Sequence, residues 1–345
     1  MSENNRAKTM RFLRYTLQRT GLSALSFLGA VTFVFFLTHY LPGNPIMVRA
    51  GVATQDSIDL IERQLGLDRP LGEQYVEYMK GLVQGDLGRS WVTNRPVLDD
   101  LKSRLPVSLE LAVYGTLLSL LLGLPLGILA AVKQDTIVDH AARLIGALGV
   151  STPAFWLGLI LIYFFFFRLE WAAAPLGQLS YGIKEPETIT GFLSIDLLLA
   201  GNLEGFRDAM AHLALPAITL AAVELPVVMR LTRATMIEVL QQDYITTARA
   251  LGFPYWQIVL RDALQNSMVQ ILTVTGLIFA YLVAGSVLVE RVFSWPGVGL
   301  YAYRALTNND FSAIQAFIIV TTLTYILINW LSDVLYGIID PRIRI

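Results

Sequence analysis

The chain has 345 residues, 54% of them hydrophobic and only 15% charged, with a mean hydropathy of +0.55 and a net charge of −1. Soluble domains carry roughly 25% charged residues, so this balance belongs to a membrane-embedded chain, and a near-neutral total offers no basic face for nucleic acid. The absence of cysteine excludes disulfides, thiolate metal sites and a cysteine nucleophile; the three histidines, His39, His140 and His212, are too scattered to suggest a metal or proton-relay cluster.

A helix needs ~20 apolar residues to cross ~30 Å of hydrocarbon, and its amides must be satisfied within the segment. A polar segment, 1–20, precedes the first such run, 21–41. No small-residue cleavage site follows it; Leu41-Pro42-Gly43-Asn44-Pro45 comes instead, so it is expected to stay as an anchor. Residues 42–104 are more polar and carry two helical patterns, QDSIDLIERQLGL and EQYVEYMKGLVQ, broken by Asp68-Arg69-Pro70 and Gly85-Asp86-Leu87-Gly88. A five-helix core is expected over 105–336, with spans at 105–131, 145–167, 213–229, 271–289 and 313–336 and a tail at 337–345. Within it, 168–212 is punctuated by Gly and Pro, and its apolar piece 192–199 is too short to span and should lie at the interface or pack on the bundle. The predicted fold class is therefore an all-α integral membrane protein of about six transmembrane helices.

Thirteen Lys and Arg flank the runs on the side of both termini: five in residues 1–20, then Lys133, Arg143, Arg230, Arg233, Arg249, Arg261, Arg342 and Arg344. The other thirteen spread over longer segments, which weigh little in the positive-inside rule, so both termini are expected in the cytoplasm.

No catalytic constellation emerges. None of the five Lys follows a Gly, so no phosphate-cradling G-x-x-x-x-G-K-[ST] loop exists, and neither H-E-x-x-H nor G-x-S-x-G occurs. No catalytic, cofactor-binding or metal-binding residue is expected in this chain. Glu110, Glu290 and Asp333 fall near span ends, where a side chain can reach the interface or cap a helix. Glu224 lies about two turns inside the fourth span, where a charge costs about 2.5–3.5 kcal/mol. It should face a partner within the bundle or a translocation path.

The stretch DYITTARALGFPYWQIVLRDALQNSM (243–268) interrupts the apolar pattern on the cytoplasmic side, within a loop expected at 231–269. Residues 243–251 are helix-compatible, Gly252-Phe253-Pro254 breaks the pattern, and a helix resumes at Tyr255. Phe253, Tyr255 and Trp256 beside Arg249 and Arg261 suit a surface that sits in another protein's groove; an amphipathic loop resting on headgroups is the alternative.

YITTARALG resembles the E-A-A-x-x-x-G coupling motif of bacterial ABC-importer permeases, with Thr246, Thr247 and Ala248 on the leading positions and Gly252 on the glycine. Thr246 replaces the Glu, and Asp262, Leu264 and Gln265 stand where the consensus continues I-x-L-P. The form TARALG is similar to the dipeptide, oligopeptide, nickel and opine branch. LPGNP (41–45), LGLDRPL (65–71), GDLGRS (85–90), RLPVSLEL (104–111), FWLG (155–158), VERVFSWPGVG (289–299) and DPRIR (340–344) agree with that branch in order. TGFLSID (190–196) and AHLALPAI (211–218) are most similar to dipeptide permeases.

The resemblance implies a type I importer permease fold in the inner membrane, with extracytoplasmic helical segments. Its partners would be a second related permease, two ABC ATPases that hold ATP and Mg, an extracytoplasmic substrate-binding protein, and membrane lipid. It makes Thr246, Thr247, Ala248, Arg249, Gly252, Phe253, Tyr255 and Trp256 the ATPase-coupling residues within the helix–turn–helix at 243–262. Segments 42–104 and 291–312 would help dock the binding protein, and Trp295-Pro296 would be a rigid turn near the outer gate. Dipeptides lead as substrate, with oligopeptides, opines, nickel chelates, glutathione and oligosaccharides as alternatives. A self-contained ion-coupled carrier or channel is the competing reading, and it would call for more buried charge than this chain carries.

Overall fold

The computed structural model describes residues 2–40 and 68–339; the patterned stretch at 55–67, the LPGNP and DPRIR motifs and the Asp333 side chain lie outside what it describes. Among the described residues the chain is helical, with a single isolated bridge, Arg89 to Pro96, and no strands. Five helices are long and apolar enough to cross a membrane, or six when one bent pair counts as a span.

The chain opens with α1 (Ser2–Tyr40), whose apolar window is only 17% buried, and α2 (Leu71–Val83), whose Tyr75 hydroxyl lies 2.8 Å from that of Thr32 on α1. Next comes α3 (Val97–Val132). The expected third span is instead α4 (Ile137–Ser151) followed by α5 (Ala154–Leu161) and a π-helical extension (Ile162–Arg168), bent by 101°. Pro153 causes the break: it pushes the preceding residue out of helical space, and Thr152 is extended at φ −92°, ψ 120°.

The short piece α6 (Leu193–Leu199) leads into α7 (Leu203–Leu240), the central helix, whose apolar window is 67% buried. It is far longer than the 213–229 expected, so Glu224 sits near its middle. Then follow α8 (Asp243–Ala250) and α9 (Tyr255–Gln257), which passes through a π-helical turn (Ile258–Ala263) into α10 (Leu264–Gly285). The last elements are α11 (Val287–Val292), α12 (Val298–Thr307) and α13 (Phe311–Ile339).

The core is the contact between α3 and α7. Gly115, Ser119, Gly123 and Gly127 recur every four residues and so share one face of α3. A methyl added at Gly115 would lie 3.0 Å from Leu220 Cβ, and one at Gly127 would lie 2.6 Å from Thr232 Cβ. In lipid no hydrophobic force draws helices together, so such small-residue stripes, which let backbones approach, decide which helices pair. Around this seam pack Leu111, Leu213, Leu220, Phe293 and Trp295.

The glycines of the WPGVG turn have a related reason. A methyl at Gly297 would overlap the Ser108 hydroxyl and the Glu290 carboxylate, and one at Gly299 would meet Val287 Cα at 2.7 Å. Gly297→Ala should therefore cost ~1–3 kcal/mol by overpacking and lower the unfolding midpoint of the detergent-solubilised protein. Gly72→Ala, whose methyl meets nothing within 4 Å, should leave the midpoint unchanged. Equal midpoints for both variants would refute the packing role.

Candidate coupling surface

The eight residues expected to form the coupling surface fall on one continuous elbow, α8, its turn and α9. Asp243 in the first turn of α8 and Arg249 in the last complement the helix dipole. The helix ends in a Schellman motif: Gly252 at φ +78° donates to Arg249 O at 3.0 Å, and Phe253 N donates to Ala248 O at 3.3 Å. Only glycine takes that φ without strain, and Pro254 then caps the next helix with φ −58° and ψ 137°. Thr246, Thr247, Arg249, Gly252, Phe253, Tyr255 and Trp256 are exposed, and Ala248 is half-buried. The rings of Tyr255 and Trp256 meet edge to face at 6.0 Å.

One side chain roots this elbow. Ile245 is fully buried among Ile128 and Ala131 of α3, Met236 of α7, and Ile258, Val259 and Ala263 of the π-helical turn. The exposed crest therefore stands on the ends of the two core helices. It exposes the aromatic side chains of Phe253, Tyr255 and Trp256 together with Arg249 and Arg261.

The residues expected on the pathway lie elsewhere. Glu224 is wholly buried, and neither of its carboxylate oxygens has a hydrogen-bond partner; Thr116 and Ser119 of α3 are its polar neighbours. Trp295 is 1% exposed, donates from Nε1 to Val107 O at 3.1 Å, and belongs to the core cluster. Pro296 occupies the tight turn closed by Gly297 N to Trp295 O at 2.8 Å. The structure thus brings the elbow together and leaves Glu224, Trp295 and Pro296 apart from it.

Four buried carboxylates, whose partners composition and spacing do not reveal, fasten the remaining elements. Glu110 lies about three and a half turns inside α3, not at a span end. It accepts from Ser194 N and Oγ, at 2.8 and 2.5 Å, and from Leu193 N at 3.1 Å, so it caps α6. Glu290 accepts from Ser108 Oγ at 2.6 Å, Ser286 Oγ at 2.8 Å and Leu300 N at 3.0 Å, joining α3, α11 and α12. Burial pushes its carboxyl above the ordinary range, against these hydrogen bonds, which favour the charged form. Asp310 accepts from Ser90 Oγ at 2.6 Å and Trp91 N at 2.8 Å, pinning the loop before α3. Asp139 of α4 receives both Nε and Nη2 of Arg233 from α7, at 2.5 and 2.7 Å. The signal available in sequence was that Glu110, Glu290 and Ser90 each sit inside a quoted motif.

An all-α bundle of membrane-long helices, built around a close-packed central pair and presenting an exposed aromatic elbow, defines a multi-pass membrane protein. The chain belongs to the family described as binding-protein-dependent transport system inner membrane component, which matches residues 123–345; the N-terminal counterpart of that family matches residues 11–112. It is 44% identical over 335 residues to the probable D,D-dipeptide transport system permease protein DdpB of Escherichia coli K12, covering 97% of this chain and 98% of that one. It is 38% identical over 338 residues to the dipeptide transport system permease protein DppB of the same strain, covering 96% and 99%. Its fold is similar to a chain of the MetNI methionine ABC transporter in inward-facing conformations, with TM-score 0.50 and 17% identity, covering 70% of this chain and 96% of that one. The fold is thus that of a type I ABC importer permease, and the protein is a transport subunit of the inner membrane.

Ile245→Ala should empty the socket under α8 at a cost of ~2–5 kcal/mol. Hydrogen exchange should then quicken in 243–252 while α3 and α7 stay protected. Thr246→Ala, on the exposed face, should change nothing. Unaltered exchange in the Ile245 variant would refute the anchoring.

Proposed function

We propose that this chain is one of two related permeases lining the path of an ATP-driven peptide importer, with dipeptides as the first substrate class. Two ABC ATPases supply ATP and Mg chemistry, and an extracytoplasmic binding protein delivers substrate. No residue of this chain has a catalytic role. Both termini and the elbow lie in the cytoplasm, as the distribution of Lys and Arg favours. The observation that carries the reading is the exposed aromatic elbow rooted by Ile245, in a chain whose relatives of matching length are permeases for D,D-dipeptides and dipeptides. A crest clamped in a moving ATPase groove acts on α7 directly and on α3 through the socket, tilting the central pair.

Within this reading Glu224 belongs to the path. Among the described residues it is the buried carboxylate without a hydrogen-bond partner, next to the unpartnered Thr116 hydroxyl. Tilting of α3 against α7 would bring it to the substrate.

The test is uptake in liposomes by the complex of two permeases and two ATPases, supplied with the binding protein. Gly252→Pro forces φ from +78° to about −65° and removes a hydrogen bond. It should leave the protein inserted and lower ATP-dependent dipeptide uptake at least about tenfold, the equivalent of ~1.4 kcal/mol. Wild-type uptake by this variant would overturn the assignment of the elbow. Glu224→Gln should lower uptake while the complex still assembles; unchanged uptake would return Glu224 to a packing role.

A further inference from the structure

The pair formed by Asp139 and Arg233 lies outside the elbow and has no part in the mechanism above. Asp139, in the first turn of α4, is fully buried. Besides the two bonds from Arg233 it accepts from Asp135 N at 3.0 Å, and Arg143 Nη2 approaches at 3.7 Å. Arg143 in turn contacts His140 Nδ1 at 2.6 Å. On α7, Arg233 stands one turn before Met236, on the same face of the helix, and Met236 packs against Ile245 of α8.

From this pair an antiparallel seam runs up both helices. A methyl at Gly146 would touch Met229 Cε at 3.2 Å, and one at Gly149 would overlap the Pro226 ring. These glycine contacts are matters of shape and resist sliding weakly. A bidentate guanidinium–carboxylate pair fixes both distance and orientation. It is therefore the point at which α4 is pinned to α7.

We infer that the Asp139–Arg233 pair is a positioning latch that makes the bent unit α4–α5 follow α7 whenever α8 is driven. The latch rests on the proposed function, because it needs α8 to be the driven element. Without the pair, α7 still moves with the ATPases but slides along the glycine seam. ATP is then spent without the matching displacement of α4–α5, and the two activities separate.

The readout is the ratio of ATP hydrolysed to dipeptide taken up by the reconstituted permeases and ATPases with the binding protein present, a ratio that loss of folded protein alone does not change. Asp139→Asn should raise it at least about fivefold, the lower end of ordinary coupling between sites. Exchanging the partners, Asp139→Arg with Arg233→Asp, should restore it towards wild type. Where Asp139→Asn fails to assemble because Arg233 is left unpaired, Asp139→Asn with Arg233→Gln removes both charges and should raise the ratio equally. An unchanged ratio in the assembled variants, with Gly252→Pro inactive, would overturn the latch and leave the elbow standing. If Gly252→Pro also kept wild-type uptake, the reading on which the latch rests would fall first.

Discussion

The approach of α3 to α7 is the constraint on which the rest of this structure depends. Gly115, Ser119, Gly123 and Gly127 strip one face of α3 to near-backbone, and α7 lies along it from Leu220 to Thr232. Packing between helices in lipid is gained by dispersion and lost steeply with small gaps. Larger side chains along this face would therefore weaken the whole seam. Two peripheral elements hang on the two ends of this pair. One end carries α6, held by Glu110; the other carries α8, held by Ile245.

Buried carboxylates then decide how the loops attach. In an apolar bundle an ionised group is tolerated only where donors meet it. Glu110, Glu290 and Asp310 meet that condition chiefly with hydroxyls and loop or helix-end amides. Each one thus uses its carboxyl oxygens to fix an irregular segment whose own amides would otherwise lack partners. Such anchors specify an arrangement more than they stabilise it, since both members lose hydration on burial. The glycines of GDLGRS and WPGVG suit the same economy: Gly88, at φ +80°, lies 3.3 Å in methyl terms from Ser312 Oγ, and Gly297 leaves room for Glu290.

The sequence is legible where one-dimensional pattern controls the outcome. Apolar length located the spans on α1, α3, α7, α10 and α13, and the Gly-Phe-Pro break located the elbow, because a left-handed glycine before a proline leaves few alternatives. Ser108, Glu110 and Glu290 fall inside motifs of the resemblance, yet spacing gives Ser108 no role and the two Glu only a place near span ends. The motifs could not say what each touches, because the partners lie far away in the chain: Ser90 with Asp310, Ser108 with Glu290, Asp139 with Arg233. The bend in the third span is not legible, because an apolar run looks continuous whether or not Pro153 bends it. Glu110 was placed at a span end because hydropathy marks the greasy part of a helix. The helix itself begins at Val97, where Pro96 caps it.

These anchors are unevenly distributed, and that bears on where the molecule can move. The half that holds α6, α11 and α12 is tied by carboxylates that each accept three or more hydrogen bonds, so displacing one element breaks several bonds at once. The half that holds α8 is tied by a socket around one isoleucine, one ion pair and glycine contacts. Between the two halves stand two interruptions of the helical backbone: Pro226, which frees the Ala222 carbonyl of α7, and the Thr152-Pro153 bend. A force applied at the elbow therefore meets compliance before it meets the rigid half. Glu224, two residues from Pro226 and without hydrogen-bond partners, lies at that compliant level, where a small rotation of α7 changes what its carboxyl meets.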